Sequence, residues 1–421
     1  MRADTTRDGG RAPKPSAMRG VDEAVTFLLG RSRPVAETES VALGEALGRV
    51  LAESPVAAAD VPPWDNSAMD GYAVRSADLD PAGAPVRLPV GQRIPAGRVG
   101  SPLVPGSAAR IFTGAPIPPG ADQVVIQEVC EVHGGDVELR VAPAAGANIR
   151  RAGEDLRAGA RALDAGTRLA PQHLGLAAAV GLARLPVYRR LRVAVFSTGD
   201  ELVRPGAALG PGQIYNSNHY TLEGLLRALG CAVEDLGVVP DRLEATCEAL
   251  EAAAGCADLI LTSGGVSVGE EDHLKPAVER LGSLDLWRIA VRPGKPLAFG
   301  EVAGTPILGL PGNPVSLFVT FCLFARPFIV RAQGRAPTAE PTLRLPAGFD
   351  WPRPDPRRRV YLCARLVGDE EGTPRVEVYP SRSSGVLSSV TWARGLAVIP
   401  EGRTLRRGDP VEYLPFAELL W

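Results

Sequence analysis

The chain has 421 residues, of which 45% are hydrophobic and 22% charged, and its formal net charge is −2. This length exceeds one ordinary hydrophobic core, so we expect about two to four domains. The balanced charge argues against nucleic acid as a ligand, and the six cysteines form no CxxC pair that would favour a zinc site. Because no run of about eighteen apolar residues occurs, we expect a cytoplasmic protein that binds no membrane.

The N-terminal part of the sequence predicts a β domain inserted into a helical one. Residues 1–17 are polar and predict a disordered tail. Apolar spacing predicts helices at 20–30, 40–53 and 170–180. Between them, residues 58–151 carry short β-rich runs separated by Pro/Gly turns. We therefore expect a discontinuous helical linking domain formed by residues 18–57 and 152–188, with the β domain at 58–151 inserted between its halves.

The rest of the chain predicts an α/β domain followed by a β domain. Strands are predicted at 191–196, 232–239, 259–262 and 307–310, and helices at 217–229, 242–254, 271–281 and 314–331. This alternation over residues 189–335 indicates a doubly wound parallel sheet with helices on both faces. Residues 336–421 become strand-like and predict a C-terminal β-barrel. The expected fold class is therefore multidomain α/β plus β.

A short stretch near the N-terminus, PPWDNSAMDGYAV at 62–74, combines two carboxylates with turn residues. Pro-Pro, Asp-Asn-Ser and Asp-Gly are typical of turns rather than of helices or strands. The simple interpretation is a solvated turn. The alternative is that the Asp-Gly bend presents Asp70 for chemistry, while Asp65 braces the loop.

Four glycine-containing loops are predicted at the carboxyl ends of strands, where open α/β sheets bind ligands. They read Ser197-Thr198-Gly199-Asp200-Glu201, Ser263-Gly264-Gly265, Arg292-Pro293-Gly294-Lys295-Pro296 and Leu310-Pro311-Gly312-Asn313-Pro314. Glycines let backbone N–H groups approach an anion, and a following helix dipole favours negative charge. Each loop alone is as readily a plain turn, but four at one sheet edge favour a phosphate-bearing ligand. The sequence contains neither GxGxxG nor GxxxxGK[ST], so a Rossmann or P-loop site is not indicated.

Carboxylates are frequent in these loops and turns. They are Asp70, Glu154, Asp155, Asp200, Glu201, Asp241 and Asp272. Acids beside a phosphate site need a cation, and Mg²⁺ is the usual one because it bridges phosphate and carboxylate oxygens. The alternative for any single acid is a helix cap. The four histidines pair with no nucleophile in the sequence, so a Ser-His-Asp enzyme is poorly supported.

Eight motifs, in order, resemble the signature set of the molybdopterin molybdenumtransferases, bacterial enzymes similar to the E domain of gephyrin. They are DNSAMDGYAVR (65–75), TGAPIPPGAD (113–122), NIRRAGED (148–155), FSTGDEL (196–202), GQIYNSN (212–218), SGGVSVGEEDHLK (263–275), RPGKPLAFG (292–300) and LPGNPVS (310–316). The resemblance implies Mg²⁺-assisted insertion of molybdate into adenylylated molybdopterin, which yields molybdenum cofactor and AMP. It also implies a homodimer whose active site lies between the α/β domain of one subunit and the β domain of the other.

The resemblance also implies roles for individual residues. The catalytic acids would be Asp70, Asp155 and Glu201, with Asp70 and Glu201 as the Mg²⁺ ligands. The substrate-binding residues would be Thr113, Ser197, Thr198, Gly199, Asp241, Ser263, Gly264, Gly265, Asp272, Arg288, Arg292, Lys295, Pro311 and Asn313. Molybdate is a tetrahedral dianion, so we assign it to the basic and hydroxyl groups of Lys295, Arg382 and Ser384.

Three positions depart from the family pattern. Arg288 and Arg292 stand where lysines are common, and a planar guanidinium differs in donor geometry from a compact ammonium. Asn216 stands where relatives usually have Asp, which removes one possible metal ligand. Ser383-Ser384-Gly385 is a variant of a Gly-Ser arrangement.

Three other interpretations remain open at this stage. The neighbouring pathway enzyme, molybdopterin adenylyltransferase, would share the α/β fold but would be shorter and lack DNSAMDGYA; it is instead an expected partner. A non-catalytic scaffold of the gephyrin E-domain type would keep the fold without the chemistry. A tungstate-inserting homologue would look the same in sequence, since the two oxyanions differ little in size and charge.

Overall fold

The structure is a computed structural model that describes residues 18–141, 143–266, 272–336, 342–368 and 372–420. Its contacts divide the chain into two compact units. Unit 1 comprises the residues up to Thr38, residues 48–50 and the residues from Tyr188 onward, and unit 2 comprises residues 39–47 and 51–187. The predicted tail at 1–17 lies outside the described residues. The predicted domain boundaries stay a prediction.

The α-helices of the described residues are short, apart from three that have 11, 12 and 14 residues. They are α1 (Val21–Arg31), α2 (Pro171–Ala179), α3 (Ser217–Ala228), α4 (Leu243–Cys256), α5 (Leu274–Leu281), α6 (Pro314–Thr320), α7 (Arg326–Ala332), α8 (Ser388–Trp392) and α9 (Phe416–Leu419). A π-helical turn, Phe321–Ala325, joins α6 to α7. Helix α1 packs Val21, Ala24 and Leu28 into the core of unit 1.

Unit 2 is built mainly from short strands. They are β1 (Thr38–Ala42), β2 (Asn66–Ser67), β3 (Gly71–Val74), β4 (Val86–Ile94), β5 (Ala108–Ile111), β6 (Gln123–Ile126), β7 (Cys130–His133), β8 (Asp136–Leu139), β9 (Ile149–Arg150) and β10 (Arg184–Tyr188). Strands β6-β3-β5-β4-β8-β7 form one sheet, and β1 pairs with β10. This arrangement confirms the predicted β-rich region between the two outer segments.

The predicted helix at 40–53 is wrong. The segment forms β1 and a 3₁₀ turn at Leu43–Glu45, and Leu51 then bridges Val187. Two glycines explain the difference, because Gly44 and Gly48 weaken a helix and Gly48 adopts φ of 74°. The apolar spacing that suggested a helix instead places Val41, Ala46 and Leu51 in one small core.

Unit 1 contains a six-stranded mixed sheet and a second β structure. Its strands are β11 (Arg192–Thr198), β12 (Leu202–Val203), β13 (Ile214–Tyr215), β14 (Ala232–Val239), β15 (Leu259–Ser263), β16 (Gly282–Arg288), β17 (Val291–Arg292), β18 (Pro296–Val302), β19 (Thr305–Leu310), β20 (Leu343–Pro346), β21 (Arg359–Gly368), β22 (Pro374–Val378), β23 (Gly395–Ile399) and β24 (Pro410–Pro415). The mixed sheet has the order β14-β11-β15-β19-β18-β16. Strands β14, β11, β15 and β19 are parallel, as predicted, and β18 and β16 extend the sheet antiparallel.

Helices cover both faces of this sheet, which confirms the doubly wound arrangement. Along β11, Val193 and Val195 belong to the core shared with α1, α3 and α6–α7, whereas Ala194 and Phe196 belong to the core under α4 and α5. Successive strand side chains point to opposite faces, so burial on both sides requires an unbroken apolar strand. Each fully buried side chain of this size contributes about 1.5–3 kcal/mol of transfer free energy.

The parallel strands bring their carboxyl ends to a common edge. The register pairs Ser197 with Ser263 and Ser263 with Leu310. The loops that follow β11, β15 and β19 therefore start side by side, as the sequence predicts. Strand β17 does not belong to this sheet and pairs instead with β21 of the C-terminal β structure.

The C-terminal strands form the expected barrel. Strands β21, β23, β24 and β20 pair in that order, and β22 pairs with β21 on its other side. A bridge between Ala347 and Val376 joins β20 to β22 and closes the ring. Within the described ranges, one helical stretch, Pro314–Ala332, is long and apolar enough to cross a membrane, but 83% of it is buried as a core helix of unit 1.

Candidate functional site

A cavity of about 800 Å³ lies in unit 1 between the sheet edge and the barrel. Its α/β wall comes from Glu201, Ile214, residues 264–266, residues 291–296 and residues 311–316 without Pro314. Its barrel wall comes from Trp351, Arg358, residues 360–363, residues 381–384 and Ser389. This volume lies in the range of pockets that bury a cofactor-sized small molecule.

Glycines shape the cavity wall because a Cβ at these positions would crowd neighbouring backbone or side-chain atoms. Gly264 and Gly265 have φ of 91° and 67°, and a Cβ at Gly264 would lie 3.0 Å from the Thr198 carbonyl oxygen. At Gly294, with φ of 104°, a Cβ would lie 2.4 Å from Thr320 Cγ2. Both loops can thus present backbone N–H groups to a ligand at close range.

A buried amide supports these loops from behind. Asn218 on α3 donates through Nδ2 to Ser263 Oγ at 3.0 Å and to the Gly312 carbonyl at 2.7 Å, which ties the loops after β15 and β19 together. Asn216 is the N-cap of the same helix and accepts from the His219 amide at 3.1 Å. The side-chain amide oxygen of Asn216 therefore caps the helix. The Asp that relatives usually have at this position is not required for that cap.

Three cations line the cavity without a carboxylate partner in the described part of the chain. They are Arg292, Lys295 and Arg382. A fourth, Arg358, is neutralised by Asp355, whose carboxylate accepts from Arg358 Nε at 2.8 Å. Unpaired cations around a concave space raise the local concentration of anions. The cavity is therefore suited to an anionic ligand.

Glu201 is the acid in the cavity wall. Its carboxylate folds back over Gly199, where a Cβ would lie 2.5 Å from Glu201 Oε2 and where φ is 145°. The Glu201 carbonyl accepts from the Ile214 amide at 2.8 Å, which fixes the loop. Among the described residues, the carboxylate itself has no ion pair.

Asp241 lies behind Glu201, outside the cavity wall. Its carboxylate accepts from the Asp200 amide at 3.3 Å, and the Asp200 carboxylate accepts from the Asp241 amide at 3.1 Å. Burial raises the pKa of the Asp241 carboxyl, and the charges of Asp200 and Glu201 raise it further. The N-cap of α4 is Arg242, so Asp241 does not have the capping role that was its alternative.

In unit 2, Asp70 and Thr113 come together at the ends of two neighbouring strands. Asp70 Oδ1 accepts from both the Thr113 amide and Thr113 Oγ1, each at 2.8 Å. These hydrogen bonds hold the pKa of the Asp70 carboxyl below its usual range, and the charge of Arg110 lowers it further. Asp70 Oδ2 accepts no hydrogen bond from the residues described, so one carboxylate oxygen is presented to solvent.

The bend after Asp70 requires glycine. A Cβ at Gly71 would lie 2.0 Å from the Val125 carbonyl oxygen, because β3 runs tightly between β5 and β6. Arg110 on β5 braces the bend by donating to the Gly71 carbonyl at 3.1 Å and to Gln127 Oε1 at 2.5 Å. The Gln127 amide in turn donates to the Asp70 carbonyl at 3.1 Å.

Two other acids of this region accept hydrogen bonds that fix the loop, and a third is an exposed carboxylate. Asp65 accepts from the Ala152 amide at 2.9 Å and from Arg151 at 2.6 Å, and both bonds lower its pKa. Asp65 therefore braces the loop, as predicted. Glu154 accepts from the Arg151 amide at 2.9 Å, whereas Asp155 is exposed and accepts no side-chain hydrogen bond within the described ranges.

The structure brings the predicted site residues together in two groups, one in each unit. In unit 1 the cavity wall includes Glu201, Gly264, Gly265, Arg292, Lys295, Pro311, Asn313, Arg382 and Ser384. Ser197 and Ser263 are buried, and Thr198 lies against Gly264 and Gly265. Asp272 lies beside Gly265, whereas Arg288 ends β16 outside the wall.

Sequence reasoning missed several wall residues, notably Trp351, Arg358 and Ser316. Trp351 and Arg358 come from a Pro/Arg-rich stretch that carries no loop motif. No sequence signal marks them, because their position in the wall depends on the pairing of β17 with β21, which places the barrel against the RPGKP segment. Arg110 was also missed, because it is one arginine among many in an arginine-rich chain.

Comparisons with known proteins cover nearly the whole chain. Residues 19–181 match the MoeA N-terminal region (domain I and II), residues 194–331 a probable molybdopterin binding domain, and residues 344–416 the MoeA C-terminal region (domain IV). These matches, with the sheet and its edge cavity, place the chain among multidomain proteins that contain a molybdopterin-binding type of α/β domain.

The individual proteins relevant to this comparison belong to the same class. Molybdopterin molybdenumtransferase from Haemophilus influenzae is 38% identical, over 96% of this chain and 100% of its own length. Molybdopterin molybdenumtransferase 2 from Mycobacterium tuberculosis is 41% identical, over 91% and 96%. A crystal structure of the molybdopterin biosynthesis moeA protein from Pyrococcus horikoshii superposes with a TM-score of 0.80 at 30% identity and covers 94% of this chain and 100% of that one. The chain belongs to the molybdopterin molybdenumtransferase family.

Proposed function

We propose that the protein is a transferase of molybdenum cofactor biosynthesis that inserts molybdate into adenylylated molybdopterin and releases AMP. The observation that carries the proposal is the cavity of about 800 Å³ with Arg292, Lys295 and Arg382 in its wall. The substrate carries a pyrophosphate, and the second substrate is an oxyanion. Both need cations and backbone donors, and the cavity offers both kinds of group.

The proposed roles follow the chemistry of the two substrates. Lys295, Arg382 and Ser384 bind molybdate. The glycine loop at 264–265 and the segment 311–313 bind the phosphates through backbone N–H groups. The other residues assigned to substrate binding are Thr113, Ser197, Thr198, Gly199, Asp241, Asp272, Arg288 and Arg292. Of these, Ser197 acts from within the core by fixing the loop, since it is fully buried.

The acids of the proposal fit a hard cation. Asp70 Oδ2, the Glu201 carboxylate and the Asp155 carboxylate have no hydrogen bond from the residues described, and oxygen donors of this kind are what Mg²⁺ prefers. We assign Asp70 and Glu201 as its ligands. When bound, Mg²⁺ would neutralise charge on the pyrophosphate. Thr113 holds Asp70 ionised and oriented, and Asp155 is the third catalytic acid.

The two groups of site residues lie in different units of the chain. We propose a homodimer in which the α/β domain of one subunit and the β domain of its partner complete each active site. We place the enzyme in the cytoplasm, where molybdopterin adenylyltransferase would supply the substrate. A labile, adenylylated intermediate favours such a transfer between consecutive enzymes.

Oxyanion-dependent AMP release tests this function. Purified protein is mixed with adenylylated molybdopterin and Mg²⁺, with molybdate, with tungstate or without oxyanion, and AMP is measured by chromatography. We expect AMP release that depends on molybdate. Dependence on tungstate alone would assign the protein to tungsten insertion. No AMP with either oxyanion would contradict the enzyme and leave the scaffold interpretation.

A further inference from the structure

The indole N–H of Trp351 is a buried donor in the cavity wall. Trp351 is 2% exposed and lines the cavity, and its Nε1 finds no acceptor among the residues that the structure describes. Buried donors are nearly always bonded, because an unmade hydrogen bond leaves the full cost of desolvation. A donor without an acceptor in the wall of a cavity is available to an acceptor atom of a ligand.

A cation lies directly over the same ring. The Arg382 guanidinium carbon is 4.3 Å from the Trp351 ring centroid, and Arg382 forms no ion pair within the described ranges. A cation over the face of an indole is favourable, and it polarises the ring so that the N–H becomes a better donor. Indole Nε1 and guanidinium nitrogens can only donate hydrogen bonds. The atom that completes both must therefore be an acceptor.

The ring is held in a fixed position. The Trp351 amide donates to the Leu405 carbonyl at 2.7 Å, and the Leu405 amide donates back to the Trp351 carbonyl at 3.1 Å. The side chain packs in the barrel core with Val360 and Val376. A donor fixed in this way loses little conformational freedom when a ligand binds.

We propose that Trp351 Nε1–H and Arg382 form a donor pair that binds one oxygen of molybdate or tungstate at the barrel side of the cavity. The proposal rests on the proposed function and adds Trp351 to its oxyanion site. We choose the free oxyanion over a phosphoryl oxygen of the nucleotide because Arg382 lies two residues from Ser384, the hydroxyl group assigned to molybdate, and both residues line the cavity. Trp351 is then a binding residue that contributes to affinity for the oxyanion.

The substitution Trp351→Phe tests this proposal, because it keeps an aromatic ring and removes the N–H. The matched control is Trp392→Phe, since Trp392 also lies under a guanidinium, that of Arg365 at 4.3 Å, but outside the cavity wall. Binding of molybdate, tungstate and AMP to each full-length protein is measured separately by isothermal titration calorimetry. We expect W351F to bind both oxyanions about tenfold to hundredfold more weakly, as for a lost hydrogen bond to a charged group, with AMP affinity unchanged. W392F is expected to match the wild type.

Each other outcome has a definite meaning. Equal oxyanion affinity in W351F and wild type overturns the role of Trp351 and leaves the proposed function intact. Weaker AMP binding with unchanged oxyanion binding also overturns it, and assigns the N–H to the nucleotide. If wild-type protein binds neither oxyanion, the proposed oxyanion site itself is wrong. If W351F does not fold, as judged by circular dichroism, benzothienylalanine at position 351 replaces the N–H by sulfur with the ring shape retained, and the same comparison is made.

Discussion

The cavity of unit 1 and the bend of unit 2 that contains Asp70 and Thr113 present charges of opposite sign. In the cavity, Arg292, Lys295 and Arg382 have no carboxylate partner among the described residues. At the bend, the carboxylate of Asp70 is held by two hydrogen bonds of 2.8 Å from Thr113. One region presents unpaired cations in a concave wall, and the other presents an anchored anion on a turn.

The two regions also differ in how their charged groups are held in place. The bonds to Thr113 lower the pKa of Asp70 and orient its carboxylate, and the oxygen that they do not use is available to a cation. In the proposed function, the cavity cations bind the pyrophosphate and the oxyanion, and the carboxylate of the bend binds Mg²⁺.

The substitution Asp70→Asn is expected to have the larger effect. It keeps the size and the Thr113 hydrogen bonds but removes the charge, and loss of one preorganised electrostatic group costs about 10²–10³ in kcat. The measurement is molybdate-dependent AMP release at saturating substrate. Asp164→Asn is the control, since Asp164 is an exposed carboxylate of unit 2 paired with Arg161. An Asp70→Asn protein that folds and turns over at the wild-type rate would remove Asp70 from the chemistry.

Lys295→Met tests the other region. The lost ammonium is expected to weaken molybdate binding and to lower kcat/KM for molybdate by about tenfold to hundredfold, as for a charge-assisted hydrogen bond. Lys275→Met is a matched control, because Lys275 lies on α5 beside Glu279 and outside the cavity wall. Equal molybdate affinity in the two variants would show that the cavity cation is not used.

The sequence predicts the regular parts of unit 1 because local and tertiary preferences agree there. Strand β14 has the predicted bounds 232–239, and β15 extends one residue beyond the predicted 259–262. The helix predicted at 40–53 fails because Gly48 turns the chain and because β1 pairs with β10. The first residues of these strands, Thr38 and Arg184, are 146 positions apart, so a local sequence pattern does not reveal the pairing. The hairpin of β16 and β18 was also missed, since it reads as a loop between two helical runs.

The candidate site likewise contains residues that the sequence predicts and residues that it does not. Asp70, Glu201 and the glycine loops stand out in the sequence because turn residues and carboxylates occur together. Trp351 and Arg110 do not stand out, because their significance depends on partners from distant strands. Trp351 meets Arg382 across the barrel, and Arg110 meets Gly71 across β5 and β3.

A mixed dimer tests the central claim, that the cavity of one chain and the bend of another act on the same substrate. Asp70→Asn and Lys295→Met chains are coexpressed with two different tags, and the heterodimer is isolated by sequential affinity steps. One of its two sites then combines an intact cavity with an intact Asp70. We predict molybdate-dependent AMP release at about half the wild-type rate, as expected for one intact site in a two-fold symmetric pair. A heterodimer as inactive as its two parent variants would contradict the account.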